Sequence, residues 1–431
     1  MALLLGRGAR SLKTYLSSNM PSVCCRGQDS VKTLIISTNG EIWGFSGTSS
    51  TLNELLGYFA SKGEVVVLSP IIKDRESQNA RSNGSASIVS RTYTFRRLVR
   101  PLNFSPSFRP IGPLDLSPSF MWSLRNVLLT ERPDIVLTCF LSGMIATTIL
   151  VLGTSKLVYL ANVLEHDYRR KLRKGGLGLQ LTRINDFRER LALSKCNHVL
   201  SVSEEEKLRI SSIYGLSPEK VTVVQPGKRA FFQRPFCDKV IGRNILNLPL
   251  ETPLALFHGG MGHFPNRAAI DRIRYHIAPK VRRIMPRMRF VLAGYGMPMF
   301  VEDNVVSVGF VDDLAALIDA VDVAVMPITV GSGVRIKMID YMSRGVPVVA
   351  TSESLEGANC RNGIEVVVAE TDDEFAGTIV ELLTDRAKAN YIGENGRKYA
   401  NEHFSPEVFE RSMGKMVGSL FHEEPPVRAS R

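Results

Sequence analysis

Paired cysteines are missing from this chain of 431 residues. Its six cysteines lie at positions 24, 25, 139, 196, 237 and 360, without the spacing of a zinc site or a disulfide framework. Cys24 and Cys25 are adjacent, so they lack the two intervening residues of a redox pair. These absences exclude a disulfide-rich secreted domain and favour a reducing, intracellular compartment.

A continuous membrane-spanning run is also missing. Residues 135–155 carry no charge, but Ser142, Gly143 and Gly153 interrupt them. The run divides into a strand, a short buried helix and a second strand, and it has no aromatic belt. We therefore expect no transmembrane helix here.

Acidic residues are absent from positions 1–28, which contain Arg7, Arg10, Lys13 and Arg26 after an apolar start. This pattern resembles a weak transit segment or a basic membrane-contact segment. The alternatives are a poorly ordered leader and a true start at Met20. We predict that residues 1–30 form a poorly ordered basic leader.

Two further signatures are lacking. No repeat of the solenoid kind is visible. Gly294 and Gly296 begin a dinucleotide fingerprint, but Met299 stands where its third glycine would be, and no acid ends the following strand. A nicotinamide-dependent dehydrogenase is therefore not expected.

What is present is an ordinary globular composition with excess positive charge. Hydrophobic residues make up 44% and charged residues 22%, and 54 basic residues against 42 acidic ones give a net charge of +12. The length suits two domains. The charge favours a polyanion or an anionic surface as a partner. A nucleic-acid-binding protein is one alternative, but no binding module is recognisable, and the cations are not interleaved with a stacking surface.

Short apolar, β-branched runs alternate with longer helical stretches throughout the chain. This alternation predicts parallel sheets with helices on both faces, and two groups of six strands predict two Rossmann-like domains facing across a cleft. The predicted strands are 32–38, 64–70, 134–140, 156–162, 197–203, 220–226, 253–259, 288–294, 304–310, 322–328, 346–352 and 364–370.

The domain limits follow from composition. We predict a first domain over 31–227, a linker over 228–251, a second domain over 252–400, a C-terminal helix over 401–420 that packs back on the first domain, and a tail over 421–431. We interpret 71–118, which is rich in arginine and proline, as surface loops. Ser203 and Glu206 form a predicted capping box for a helix that stops at Gly215.

Residues 331–351 contain the strongest functional pattern. A Gly-Ser-Gly elbow (Gly331, Ser332, Gly333) follows a predicted strand, and a helix is predicted from near Val334 to Gly345. Ligands bind at the carboxyl ends of parallel strands, where a helix amino terminus favours an anion. Arg335 and Lys337 add two cations at this point, so the pattern predicts a diphosphate site.

Asp340 lies about one and a half turns further along this helix. Its carboxylate can accept hydrogen bonds from two neighbouring hydroxyls, which suits a ribose diol and hence a nucleoside diphosphate. The alternative is an ion pair between Lys337 and Asp340 on an exposed face, worth about 0.2–0.5 kcal/mol.

These residues resemble the donor-binding signature of the retaining glycosyltransferases of family 4, also called group 1, which have the two-Rossmann GT-B fold. Further similar segments follow in the expected order at 254–270, 290–296, 307–327 and 356–383, with weaker similarity at 44–69, 197–207 and 219–227. The resemblance covers roughly residues 31–420 and is more specific in the second half.

The chain departs from the family pattern at two places. The family commonly has two glutamates separated by seven residues, and here these positions are Ser332 and Asp340. Met261 and Asn266 stand where the family has the Arg and Lys of a diphosphate clamp. These changes would place more of the diphosphate charge on the cations of the 331–351 segment. They also leave an alternative function for the chain, that of a catalytically lapsed protein that acts as a binding or scaffold partner.

The resemblance also implies residues outside the signature. His166 is the candidate for the polar catalytic residue of the first domain, against a purely structural histidine. Gly44 and Gly47 are candidates for backbone contacts to the donor, against an ordinary strand-to-helix turn. Glu356 is a candidate contact to the donor sugar or its phosphate, against an N-cap acid without a ligand role.

The implied reaction is hexosyl transfer from a nucleoside-diphosphate sugar to a hydroxyl of a glycan or lipid-linked acceptor, with retention and without metal or cofactor. No Asp-x-Asp pair occurs in a predicted loop, which agrees with a metal-independent site. We expect a cytoplasmic protein. Basic stretches at 91–109 and 169–174 are either solvated or dock on the inner face of an anionic membrane, and co-sedimentation with vesicles of differing lipid charge separates these alternatives.

Overall fold

The structure is a computed structural model that describes residues 30–37, 47–70, 89, 91–95, 117–139, 143–151, 153–161, 189–191, 193–225, 229–245, 250–330 and 334–421. These residues form two α/β domains, each with a seven-stranded sheet. The predicted fold class, two Rossmann-like domains, is confirmed.

The first domain has an entirely parallel sheet in the order β3-β2-β1-β4-β5-β6-β7. Its strands are β1 (Thr33–Ile36), β2 (Val65–Pro70), β3 (Arg91–Phe95), β4 (Ile135–Thr138), β5 (Lys156–Ala161), β6 (His198–Ser201) and β7 (Val221–Val223). Its helices are α1 (Gly47–Lys62), α2 (Pro118–Glu131), α3 (Met144–Val151) and α4 (Glu204–Tyr214), followed by a 3₁₀ turn (Pro218–Lys220).

Most central strands are buried along their whole length, as expected for a parallel sheet covered on both faces. Met144–Val151 is the short helix predicted inside the uncharged run. No helix among the described residues is long and apolar enough to cross a membrane. Docking on an anionic membrane stays a prediction.

The interpretation of 71–118 as surface loops is wrong at one point, since β3 lies within it as an edge strand paired with β2. The segment RTYTF has no apolar run, and this is why the pattern of strands did not reveal it. Arg91 donates to the buried carboxylate of Glu131 at 2.9 Å, and Tyr93 donates to the same oxygen at 2.5 Å. Tertiary hydrogen bonds therefore compensate for the missing apolar residues.

The second domain has the strand order β10-β11-β9-β8-β12-β13-β14, in which the β10–β11 pair alone is antiparallel among the described strands. Its strands are β8 (Leu254–His258), β9 (Arg289–Ala293), β10 (Phe300–Glu302), β11 (Val305–Gly309), β12 (Val323–Met326), β13 (Val348–Ala350) and β14 (Val367–Val368). Edge strand β10 was not predicted, and the predicted strand 364–370 contains only the two residues of β14.

The helices of the second half begin in the linker. They are α5 (Arg229–Gln233), α6 (Lys239–Ile245), α7 (Phe264–Arg272), a π-helical turn (Ile273–Ile277), α8 (Ala278–Ile284), α9 (Leu314–Asp319), α10 (Ile336–Ser343), a 3₁₀ turn (Ser352–Leu355), α11 (Asp372–Thr384), α12 (Arg386–Phe404) and α13 (Pro406–Phe421). Helix α13 places Phe409, Met413 and Met416 in the core of the first domain, among the side chains of α1 and its neighbouring strands.

The linker, which has no clear periodicity, contains helices α5 and α6 and is held to the second domain by buried charge. Arg344 forms an ion pair with Asp319 and donates to the carbonyls of Phe231, Arg234 and Pro235. The described part of the linker therefore belongs structurally to the second domain.

Candidate functional site

The strand order of the second domain reverses between β8 and β12. From β8 the chain continues to β9 on one side of the sheet, and later it returns to β12 on the other side. Loops leaving the carboxyl ends of two such strands diverge and leave a crevice, which is the usual ligand site of an open α/β sheet. The loop after β8 leads into α7, and the loop after β12 leads into α10.

Arg335 precedes the first turn of α10 in an extended conformation, and its side chain makes no capping hydrogen bond. The guanidinium is largely buried, and its Nη2 lies 3.8 Å from a carboxylate oxygen of Glu353 and 3.9 Å from one of Glu356. Burial lowers the pKa of Arg335, and the two glutamates oppose this change. A partly desolvated cation beside a helix amino terminus suits an anionic ligand.

Lys337 extends from α10 toward the loop after β8. Its ammonium donates to Asn266 Oδ1 at 2.6 Å and lies 4.5 Å from the centre of the Phe257 ring. Asn266 in turn donates to the carbonyl of Gly260 at 2.9 Å. A Cβ on Gly259 would stand 2.8 Å from the Asn266 side chain, so a larger residue there would displace the Asn266 amide. Asn266, which departs from the family pattern, therefore connects the start of α10 with the loop after β8.

Asp340 is 1% exposed, so its predicted alternative, a surface ion pair with Lys337, is wrong. One carboxylate oxygen lies 3.4 Å from Nε2 of His258, the last residue of β8. The ring of Tyr341 packs edge-on against the same imidazole. A ribose diol would reach this carboxylate only after the surrounding side chains move, and the ribose contact stays a prediction.

His258 was not identified from the sequence. Its backbone N–H donates to the Tyr341 hydroxyl at 2.9 Å, and Nδ1 lies 2.9 Å from the same oxygen. If the hydroxyl donates to Nδ1, the neutral ring carries its proton on Nε2 and directs it toward Asp340. A histidine that ends an apolar strand just before two glycines was the available signal.

Glu356 lies where the two domains touch. Its carboxylate accepts from Arg209 of helix α4, in the first domain, at 3.2 Å. The following residue, Gly357, has a φ of 78°, and a Cβ there would stand 3.1 Å from Val334 and 3.2 Å from Ser203. Glu356 thus connects a cation of the first domain with Arg335. Its contact to a donor stays a prediction, and the structure adds an interdomain role.

Helix α4 is the predicted capped helix. Ser203 accepts a hydrogen bond from the backbone N–H of Glu206, and Gly215 ends the helix in the left-handed conformation. The Glu206 carboxylate accepts from the backbone N–H of Val202, so the helix start is held from both sides. Ser203, at the start of this helix, and Arg209, within it, are described residues of the first domain that lie against the site.

Several predicted site residues lie outside the described residues. These are His166, Gly44, Gly331, Ser332 and Gly333, and their roles stay predictions. Gly47 is described as the first residue of α1. In the described ranges no group of three His, Cys, Asp or Glu side chains is placed to hold a metal ion, and metal independence stays a prediction.

We expect Asn266→Ala to weaken nucleotide binding about tenfold, because it removes one hydrogen bond to the Lys337 ammonium and one to the Gly260 carbonyl. Asn401→Ala is the matched control, since the exposed Asn401 side chain donates to the Arg397 carbonyl of its own helix. Fluorescence or calorimetric titration measures the effect. Equal affinities of the two variants would show that Asn266 does not position Lys337.

Known sequence families match both halves of the chain. The model described as "Glycosyl transferases group 1" matches residues 252–385, and that described as "Glycosyltransferase Family 4" matches residues 45–227. The D-inositol 3-phosphate glycosyltransferase of Thermobispora bispora is 26% identical over an alignment of 201 residues that covers 42% of this chain and 46% of that protein. The match thus spans less than half of that relative.

Solved structures resemble the whole fold. Sucrose-phosphate synthase from Thermosynechococcus elongatus has a TM-score of 0.69 at 18% identity, over 91% of this chain and 99% of its own. Anabaena HepE, solved in complex with UDP-glucose, has a TM-score of 0.67 at 15% identity, over 90% of this chain and 100% of its own. These similarities show the fold.

Proposed function

Because the chain belongs to the group 1, family 4 glycosyltransferases and has their GT-B fold, we propose that it transfers a hexosyl group from a nucleoside-diphosphate sugar to a hydroxyl acceptor. The observation that carries the proposal is the pair of cations, Arg335 and Lys337, at the start of α10 in the crevice between β8 and β12. The HepE complexes with UDP and UDP-glucose support a nucleotide sugar as the donor.

In the proposed reaction the bond between the anomeric carbon and the diphosphate breaks, and negative charge develops on the departing phosphate. Arg335 and Lys337 stabilise that charge, together with the backbone N–H groups of the first turn of α10. Each preorganised donor of this kind is typically worth about 10²–10³ in rate.

We further propose that transfer occurs with retention and without a metal ion. The acceptor hydroxyl then attacks from the face that the leaving group vacates. Two cations and a helix amino terminus supply the charge that a metal would otherwise provide. The first domain binds the acceptor, a glycan or a lipid-linked sugar, with His166 as the proposed polar residue near the transferred sugar.

The test incubates the purified full chain with a panel of nucleotide sugars in the presence of EDTA. We expect slow release of a nucleoside diphosphate from one donor and, with an accepted hydroxyl compound, a product whose anomeric proton signal in NMR retains the donor configuration. Binding of a donor without release or transfer would identify a catalytically lapsed protein. Failure of every donor to bind would overturn the proposal.

A further inference from the structure

An ion pair joins the two domains beside the proposed diphosphate site. Arg209 of α4, in the first domain, donates from Nη1 to Oε1 of Glu356, in the second domain, at 3.2 Å. The other carboxylate oxygen of Glu356, Oε2, lies 3.9 Å from Nη2 of Arg335. The first distance is that of a hydrogen bond, whereas the second is too long for one. One carboxylate therefore stands between two guanidinium groups and is hydrogen-bonded to the one that comes from the first domain.

The main chain on both sides of this ion pair is closely packed. Gly357, which follows Glu356, has a φ of 78°, and a Cβ there would stand 3.1 Å from the Val334 side chain and 3.2 Å from that of Ser203. Arg209 lies in the middle of α4, which is capped at both ends. Because neither main chain has room to shift, the Glu356 carboxylate can change its partner only by rotation of its own side chain.

The Glu356 side chain is 12% exposed, so its carboxylate has lost much of its contact with water. Hydrogen bonds or an opposite charge must replace that lost hydration. Arg209 supplies both. Arg335 is the other cation within ion-pair distance of this carboxylate in the described ranges of the chain, and its side chain is 11% exposed. Without Arg209, the carboxylate would therefore turn to Arg335.

A direct ion pair between Glu356 and Arg335 would occupy the guanidinium that the diphosphate needs. Two poorly exposed charges attract one another with little screening by water, so the carboxylate would compete strongly with a phosphate. The hydrogen bond from Arg209 opposes that competition, because it balances the charge of Glu356 from the first domain. Arg335 then keeps its positive charge for the ligand.

We propose that Arg209 is a positioning residue of the donor site: it binds the Glu356 carboxylate and thereby prevents this carboxylate from neutralising Arg335. Arg209 acts through Glu356 and not on the donor itself. This inference rests on the proposed function and deepens it, since the affinity for the donor then depends on a side chain of the first domain. Contact between the two domains becomes a condition of tight donor binding.

Titration of UDP into four forms of the full chain tests the inference. The forms are the unchanged chain, Arg209→Ala, Glu356→Gln and the double variant. Arg209→Ala should weaken binding about tenfold, because Glu356 then pairs with Arg335 and a phosphate must displace it. In the Glu356→Gln background no carboxylate competes for Arg335, so the same change at 209 should alter the affinity by about twofold or less. The comparison holds whether or not Glu356 itself contacts the donor.

Two further variants separate the contact of Arg209 from its charge. Arg209→Lys keeps a cation that can donate to Glu356, and it should retain most of the affinity. Lys220→Ala removes one positive charge from an exposed position of the first domain and should bind UDP like the unchanged chain. Thermal unfolding verifies that all the variants fold. An ion pair that only stabilised the fold would change the unfolding temperature of Arg209→Ala and leave its affinity for UDP unchanged.

An equal loss of affinity on Arg209→Ala in both backgrounds would show that Arg209 acts without Glu356, and this would overturn the inference. Unchanged affinity in Arg209→Ala would also overturn it, and the proposed function would stand because the unchanged chain binds. If UDP does not bind, the same titrations are made with the donor found in the nucleotide-sugar panel. If no donor binds the unchanged chain, the proposed function fails, and the inference fails with it.

Discussion

Replacing Arg335 by alanine should lower the turnover of the nucleotide sugar by about 10²–10³. The guanidinium is 11% exposed and stands beside the amino end of α10, so a phosphate there would meet a cation that is poorly screened by water. Its Nη2 lies 3.8 and 3.9 Å from carboxylate oxygens of Glu353 and Glu356 and donates to the Glu353 carbonyl at 3.4 Å, and a phosphate would compete with these partners.

Lys337→Ala belongs to the same prediction, because the two cations face one diphosphate. We expect a similar loss in turnover, and we expect donor affinity to become less dependent on salt in both variants, since each removes one charge contact. Arg397→Ala is the control, as Arg397 lies on α12 and pairs with exposed Glu394. Unchanged donor affinity and turnover in both variants would show that the diphosphate does not bind at the start of α10. Thermal unfolding would verify that both variants fold.

Arg344→Ala should lower the free energy of unfolding by about 3–5 kcal/mol. The side chains of Arg344 and Asp319 are 1% and 3% exposed, so alanine at 344 leaves an uncompensated carboxylate in the core. The same change removes the donors that hold the carbonyls of Phe231, Arg234 and Pro235. The linker should therefore become more sensitive to proteolysis.

Chemical denaturation measures this loss, and Lys280→Ala provides the comparison. Lys280 pairs with Asp373 at the surface, where an ion pair contributes only about 0–1 kcal/mol. Replacing Arg344 and Asp319 together should cost less than the sum of the two single changes, because no buried charge remains unpaired. Additive losses would mean that the two side chains do not stabilise one another.

The main elements of the fold were readable from local pattern. Strands such as β8 and β12 are buried along their length and appear in the sequence as continuous apolar runs. The ends of helix α4 are recognisable in the sequence from the N-cap residue Ser203 and the C-cap residue Gly215. β3 was missed because it has no apolar run, and two of its side chains bond to Glu131, which lies 38–40 residues further along the chain. Edge strands of this kind carry little periodic signal.

The site likewise has features that the sequence predicts and contacts that it does not predict. Arg335, Lys337 and the glycine elbow are neighbours in the chain, so their charge and their place after a strand could be inferred without coordinates. The side chains that these residues contact could not be inferred from the sequence. Lys337 meets Asn266 across 71 residues, Tyr341 meets His258 across 83, and Glu356 meets Arg209 across 147.

The order of residues along this chain specifies its alternating strands and helices, its two-domain plan and a cationic turn suited to phosphate. Those properties depend on neighbours a few positions apart, whose spacing the covalent backbone sets. Folding alone decides that Asp340 is buried against His258 and that the Lys337 ammonium meets Asn266. Burial and side-chain contacts depend on distances between groups that are far apart in the chain, and those distances exist only once the two loops meet at the edge of the sheet.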